Sequence, residues 1–113
     1  MYFNLFRGYL LKIFLLLLLA EIEELRKSVV TQRLATLLKE DIGSCWSDLG
    51  PFLEVPESEI RNIGNDYHKA RDKGFALLQS WRDKEGHKAT VGRLESVLTA
   101  RGMKRIAEKL LGT

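Results

Sequence analysis

The sequence predicts an all-α protein, a bundle of six short helices preceded by an apolar N-terminal helix. Three observations predict it. No segment alternates apolar and polar residues with the period of two that a half-buried strand requires. Apolar residues recur instead at three- and four-residue spacing, the signature of helices with one buried face. From Gly43 onward glycine or proline interrupts that pattern about every 10 to 20 residues, which keeps each helix short.

A chain of 113 residues is one domain by size and buries a core without help from metals or disulfides. The single Cys45 excludes an internal disulfide and, with two scattered histidines, leaves no zinc-ligand spacing. That usage fits a reducing, cytoplasmic compartment. The net charge of +3 is too small to signify nucleic acid by itself, and the bases are interspersed with acids rather than gathered in one stripe. There is no Gly-rich phosphate loop, no H-E-x-x-H, no G-x-S-x-G and no paired-carboxylate site. An enzyme is not expected, nor is any cofactor or metal.

Residues 1–20, MYFNLFRGYLLKIFLLLLLA, carry no acid and are unbroken in their apolar run only from Ile13 to Ala20. A spanning helix needs about 20 apolar residues and would have to take in Asn4, Arg7 and Lys12. Leu18 and Ala20 make a poor signal-peptidase site. Asn4, Arg7, Gly8 and Lys12 fall on one side of a helix, as in an interfacial helix. Spanning anchor, signal-like segment, interfacial helix and non-native start all stay open here. Residues 21–27, EIEELRK, continue as a charged linker helix, and the β-branched cluster Val29-Val30-Thr31 places the domain boundary near Ser28, giving segments 1–27 and 28–113.

In the domain, Thr31 caps a first helix that reaches Asp41, buries Leu34, Leu37 and Leu38, and ends at Gly43 in the left-handed position. Ser44 caps the second, whose inner face is Trp46, Leu49, Phe52 and Leu53 and which Gly50-Pro51 kinks or breaks. Pro56 opens the third at its first helical position, with Glu57 and Glu59 at the positive end of the dipole and Ile60 and Ile63 inside, stopping by Gly64. The fourth runs from His68 to Arg82 with the stripe Ala70, Gly74, Leu77, Leu78 and Trp81, and WRDKEGHK follows as a polar turn. Thr90 caps the fifth, with Val91, Leu94, Val97 and Leu98 inward and Gly102 closing it. The sixth carries Met103, Ile106, Ala107, Leu110 and Leu111 and ends at Gly112. Trp46 and Trp81 read as core anchors rather than a ligand groove. Cys45 reads as a half-buried small residue, and His68 and His87 as solvent-facing.

Trp46-x-x-Leu49, then Val55-Pro56-Glu57-Ser58-Glu59-Ile60, Leu78-x-x-Trp81, Ala89-Thr90-Val91-x-x-Leu94 and Leu98 stand in an order and spacing that resembles the death domain over residues 31–111. The resemblance implies a six-helix antiparallel Greek-key bundle that binds other death domains, as signalling adaptors and receptor tails do in apoptotic and inflammatory signalling. Gly50-Pro51 departs from the family's regular second helix, and the apolar N-terminus lies outside it.

Charge suggests how such contacts form. From Glu40 to Asp66 seven carboxylates face Arg61 alone, and the exposed flank expected from them is Asp48, Glu54, Glu57, Glu59 and Asp66. From Tyr67 to Arg93 the balance reverses, giving a basic flank of Lys69, Arg71, Lys73, Arg82, Lys84, Lys88 and Arg93. An acidic patch on one copy meeting a basic patch on the next is a heterologous contact, which builds rings or helical strings. The expected partners are other death-domain proteins, self-association included, with membrane contact through residues 1–20 open. Two alternatives stand beside this reading: a small basic helical protein that binds nucleic acid through its last three helices, and a membrane-associated accessory protein that works through residues 1–20.

Overall fold

Two threonine caps, a proline break and a β-branched cluster set several of the helix ends, and the computed structural model describes the helices over residues 2–112, with side chains from residue 7 onward. They are α1 Tyr2–Lys27, α2 Gln32–Gly43, α3 Trp46–Leu49, α4 Glu57–Asp66, α5 Ala70–Glu85, α6 Val91–Ala100 and α7 Lys104–Gly112. Short 3-10 turns occupy Gly50–Leu53 and Gly86–Lys88, and no strand occurs among the described residues. The six helices from α2 to α7 form the bundle. α1 stands ahead of it and stretches the molecule to 67 × 24 × 23 Å. The side chain of Asn4, assigned above to a polar side of α1, lies outside those described.

α1 ends at the β-branched cluster, whose side chains favour extended backbone over helix. Val29 forms an isolated antiparallel bridge with Thr90. Around it the Val30 amide donates to the Ala89 carbonyl at 2.8 Å and the Val91 amide to the Ser28 carbonyl at 2.9 Å. The bridge ties together the starts of two helices, because Thr31 and Thr90 are their N-caps. Each hydroxyl accepts from the backbone N–H three residues on, Leu34 and Arg93, both at 3.2 Å.

The core is built on α5, which lies along α2 in the broadest helix pair of the fold. Leu38, Ile42, Leu77, Leu78, Trp81 and Leu94 are buried within it. Two glycines set the approach of α2 to α5. A Cβ on Gly74 would fall 2.5 Å from the Gly43 nitrogen and 2.9 Å from its Cα, and a Cβ on Gly43 would collide with the Ala70 carbonyl.

Several expectations need correction. Gly43 does not adopt the left-handed cap, since among the described glycines only Gly86 (φ 58°) and Gly102 (φ 75°) have positive φ; it lies in the last turn of α2, where backbone proximity excludes a side chain. Gly64 does not stop α4, which continues to Asp66 while Gly64 leaves room for the Trp46 ring. Ser44 does not cap: its hydroxyl donates to the Asp41 carbonyl at 2.7 Å, and Cys45 takes the cap position with no side-chain capping bond, its thiol donating to the same carbonyl at 3.6 Å. Pro56 stands one residue earlier than expected, at the N-cap of α4. α5 starts at Ala70 and runs on to Glu85, so the polar turn after it shrinks to Gly86–Lys88. Met103 precedes α7 and is half-buried against the core.

Three residues expected inside are exposed. Leu37 is 44% exposed because the buried stripe of α2 is Ala35, Leu38 and Ile42, one helical step away. Ala70 opens α5 at the edge of the bundle. Phe52 is 48% exposed because the break at Gly50-Pro51 converts the second helix into a 3-10 turn, which changes the angular step and sends this side chain outward. Arg101 stacks on its face, 4.1 Å from the ring centroid. The break itself falls where proline required it, and Glu54 closes the turn in a left-handed conformation at φ 60°.

Candidate interaction surface

The acidic flank is carried by α3, the turn after it, and α4. Asp48, Glu54, Glu57, Glu59 and Asp66 are all exposed. Glu57 and Glu59 sit in the first turn of α4, where backbone N–H groups without helical partners favour negative charge. Glu57 lies 3.9 Å from Arg61, one helical turn on. Glu59 accepts a short hydrogen bond from the Ser80 hydroxyl of α5. Asp48 and Asp66 have no side-chain partner among the described residues. Between α4 and α5 runs a shallow groove of about 350 Å³, floored by Ile63, Phe75 and Ala76 and rimmed by Glu59, Asp66 and Asp83.

The basic residues divide into two groups. Arg82, Lys84 and Arg93 are engaged within the chain: Arg82 Nε donates to the Val30 carbonyl at 2.8 Å and its Nη1 to Gln79 at 2.8 Å. Lys84 donates to the Glu54 carbonyl at 2.9 Å, and Arg93 pairs with the Glu54 carboxylate at 3.2 Å. The two flanks therefore join at Glu54. Lys73 lies over the Trp46 ring at 5.5 Å from its centroid, which fixes its stem against α3. Lys69, Arg71 and Lys88 are exposed, with no side-chain partner among the described residues. Lys69 and Arg71 sit at the start of α5, only a short turn away from Asp66, so opposite charges abut on one edge of the bundle.

Other pairs were not legible in the sequence. Lys109 of α7 reaches Asp41 at the end of α2 at 2.7 Å, and Arg26 of α1 forks onto Glu95 of α6 at 2.9 Å. The Glu95 hydrogen bond holds the Arg26 guanidinium above its ordinary pKa. Periodicity reports which face of a helix is wet but not which wet faces meet. Cys45 is half-buried, and burial pushes its thiol pKa up despite a neighbouring Ser44 hydrogen bond, so its place beside a helix start does not activate it. His68 and His87 are exposed, as the residues around them predicted. Among residues 7–112 no group of three or more His, Cys, Asp or Glu is placed to hold a metal ion.

Fold and surface together define a small helical bundle with opposite charges on adjoining faces. The chain belongs to the death domain family, whose model matches residues 31–113. A 69-residue stretch is 38% identical to THO complex subunit 1 of Mus musculus, covering 61% of this chain and 10% of that protein. The Homo sapiens THO complex subunit 1 is 34% identical over 85 residues, covering 75% and 13% respectively. Receptor-interacting serine/threonine-protein kinase 1 of Homo sapiens is 34% identical over 64 residues, covering 54% and 10%. The chain thus spans between 10% and 13% of the length of these relatives. Family membership makes the domain a non-enzymatic protein-interaction module with the all-α death-domain fold.

Proposed function

We propose that this chain assembles with other death-domain proteins, itself included, by setting the acidic surface of α3 and α4 against the basic start of α5 on a neighbour. One observation carries the reading. Asp48 and Asp66 on one side, and Lys69 and Arg71 on the other, are exposed without side-chain partners among the described residues. Complementary potentials of this kind set partner choice and association rate more than raw affinity. Because the two patches differ, the contact is heterologous and extends from copy to copy. Membership of the death domain family and likeness to a receptor-interacting kinase support a place in signalling, which we assign to the cytoplasm and to apoptotic or inflammatory pathways as part of the same proposal.

The test is capture from a cytosolic extract with the full chain as bait, beside an Asp48→Lys, Glu57→Lys variant, with the eluates identified by mass spectrometry. The wild type is expected to retain death-domain proteins and the variant to lose them while keeping its helical circular dichroism. Retention by the variant overturns the acidic surface. Capture of no death-domain protein by either overturns the assembly reading.

A further inference from the structure

α1 is the one large element that the interaction module leaves unexplained. Every side chain from Arg7 to Glu21 is exposed. Phe14, Leu15, Leu16 and Leu17 are 58%, 57%, 65% and 60% exposed, and consecutive helical residues step about 100° around the axis, so these four point to most of the circumference. A partner helix covers a stripe roughly 100° wide. Pairing with a second copy would leave the greater part of this apolar wall in water, whereas lipid covers every side at once.

Charge points the same way. From Ile13 to Ala20 there is none; cations Arg7 and Lys12 precede the run, and Glu21, Glu23, Glu24, Arg26 and Lys27 follow it. The charges form bands across the helix axis rather than one polar face along it. Among the described residues no helix is long and apolar enough to cross a membrane. Eight residues rise about 12 Å, less than half of a hydrocarbon core of about 30 Å, which matches the depth of one leaflet.

We propose that α1 embeds in one leaflet of a lipid bilayer through Ile13–Ala20, with Arg7 and Lys12 reaching back along their stems to lipid phosphates. The following turns then emerge among the headgroups and hold the death domain at the surface. Long cationic side chains serve such interfaces because the stem is apolar and the head stays wet. The domain sits in a fixed attitude there, because the foot of α1 is bolted to α6. Arg26 pairs with Glu95, and a Cβ on Gly92 would come 3.0 Å from the Arg26 carbonyl. Beside that foot the apolar surface continues onto the domain, where Leu25, Val29, Leu34 and Leu37 line a shallow groove with Arg33.

Flotation of the full chain with vesicles tests this, using phosphatidylcholine alone and phosphatidylcholine mixed with phosphatidylserine. The wild type floats with both and more completely with the anionic vesicles. Leu15→Glu with Leu17→Glu alters only exposed positions and lowers the floating fraction by more than about tenfold, since each carboxylate resists entry into hydrocarbon. Arg7→Gln with Lys12→Gln keeps flotation but loses the preference for phosphatidylserine. Three outcomes overturn the proposal: wild type left in the dense fraction, flotation indifferent to the two glutamates, or a non-floating oligomer of defined mass that the glutamates dissolve, which would make α1 a seam between copies. None of these touches the capture experiment above, so the two readings fail separately.

Discussion

Gly74 shows how much of this fold rests on a missing methyl group. In an exposed helix interior, Gly→Ala stabilises by about 1 kcal/mol through the lower backbone entropy of alanine. Here the added Cβ would fall 2.5 Å from the Gly43 nitrogen, and backbone cannot swing aside as a side chain does. α2 and α5 would have to separate along their broadest contact, and overpacking of that kind costs about 1–3 kcal/mol. The steric term wins. Gly74→Ala is expected to lower the urea midpoint, while Gly112→Ala, where a Cβ meets nothing within 4 Å, leaves stability within about 0.5 kcal/mol. Equal midpoints for the two variants would show that the helices part freely at this crossing. The sequence does not distinguish such a glycine from a terminating one. Gly43 and Gly64 read as helix stops and are contact points, whereas Gly102 read as a stop and is one.

At the scale of elements, what could be read was local and what could not was long-range. Thr31, Thr90 and Gly50-Pro51 act on backbone within four residues, so their sequence position sufficed to place two caps and a break. The Val29–Thr90 bridge, the fork from Arg26 to Glu95 and the pair of Lys109 with Asp41 join segments distant in the chain, and nothing in either segment names the other. The candidate surface divides in the same way. Its segregation into acid and base was visible as composition, but the use of Arg82 on the Val30 carbonyl and of Arg93 on Glu54 depends on packing. Thr31 offers a test of the local part. Thr31→Ala removes the acceptor for the Leu34 amide and is expected to destabilise by about 0.5–2 kcal/mol, with Thr31→Ser restoring most of it. Ser44→Ala, at the position expected to cap but found not to, should change the denaturation midpoint far less. If the two alanine variants prove equally costly, the assignment of caps is wrong.

For the whole molecule the consequence is polarity. α1 leaves the bundle at one end, and opposite charges meet on one edge where α4 passes into α5. A copy with an acidic and a basic surface side by side has two different things to offer a neighbour, and a reversal of either should be repairable by a reversal of the other. Asp48→Lys with Glu57→Lys leaves a copy basic on both surfaces; Lys69→Glu with Arg71→Glu leaves one acidic on both. Each variant alone should lose self-association, measured by light scattering on the full chain in detergent micelles. Mixed in equal amounts they should recover it, because every contact between unlike copies then pairs either the two unreversed surfaces or the two reversed ones, and both pairings are of opposite sign. Exposed ion pairs are worth about 0–1 kcal/mol each, so two or three together change affinity by about tenfold, a difference such titrations resolve. Salt supplies an independent arm: the screening length falls from about 10 Å at 0.1 M to about 3 Å at 1 M, and association of the wild type and of the mixture should weaken in parallel. Recovery on mixing ties the acidic surface of one copy to the basic surface of the next. Its failure, with both variants folded, means that each patch meets some other surface and that the heterologous contact is wrong.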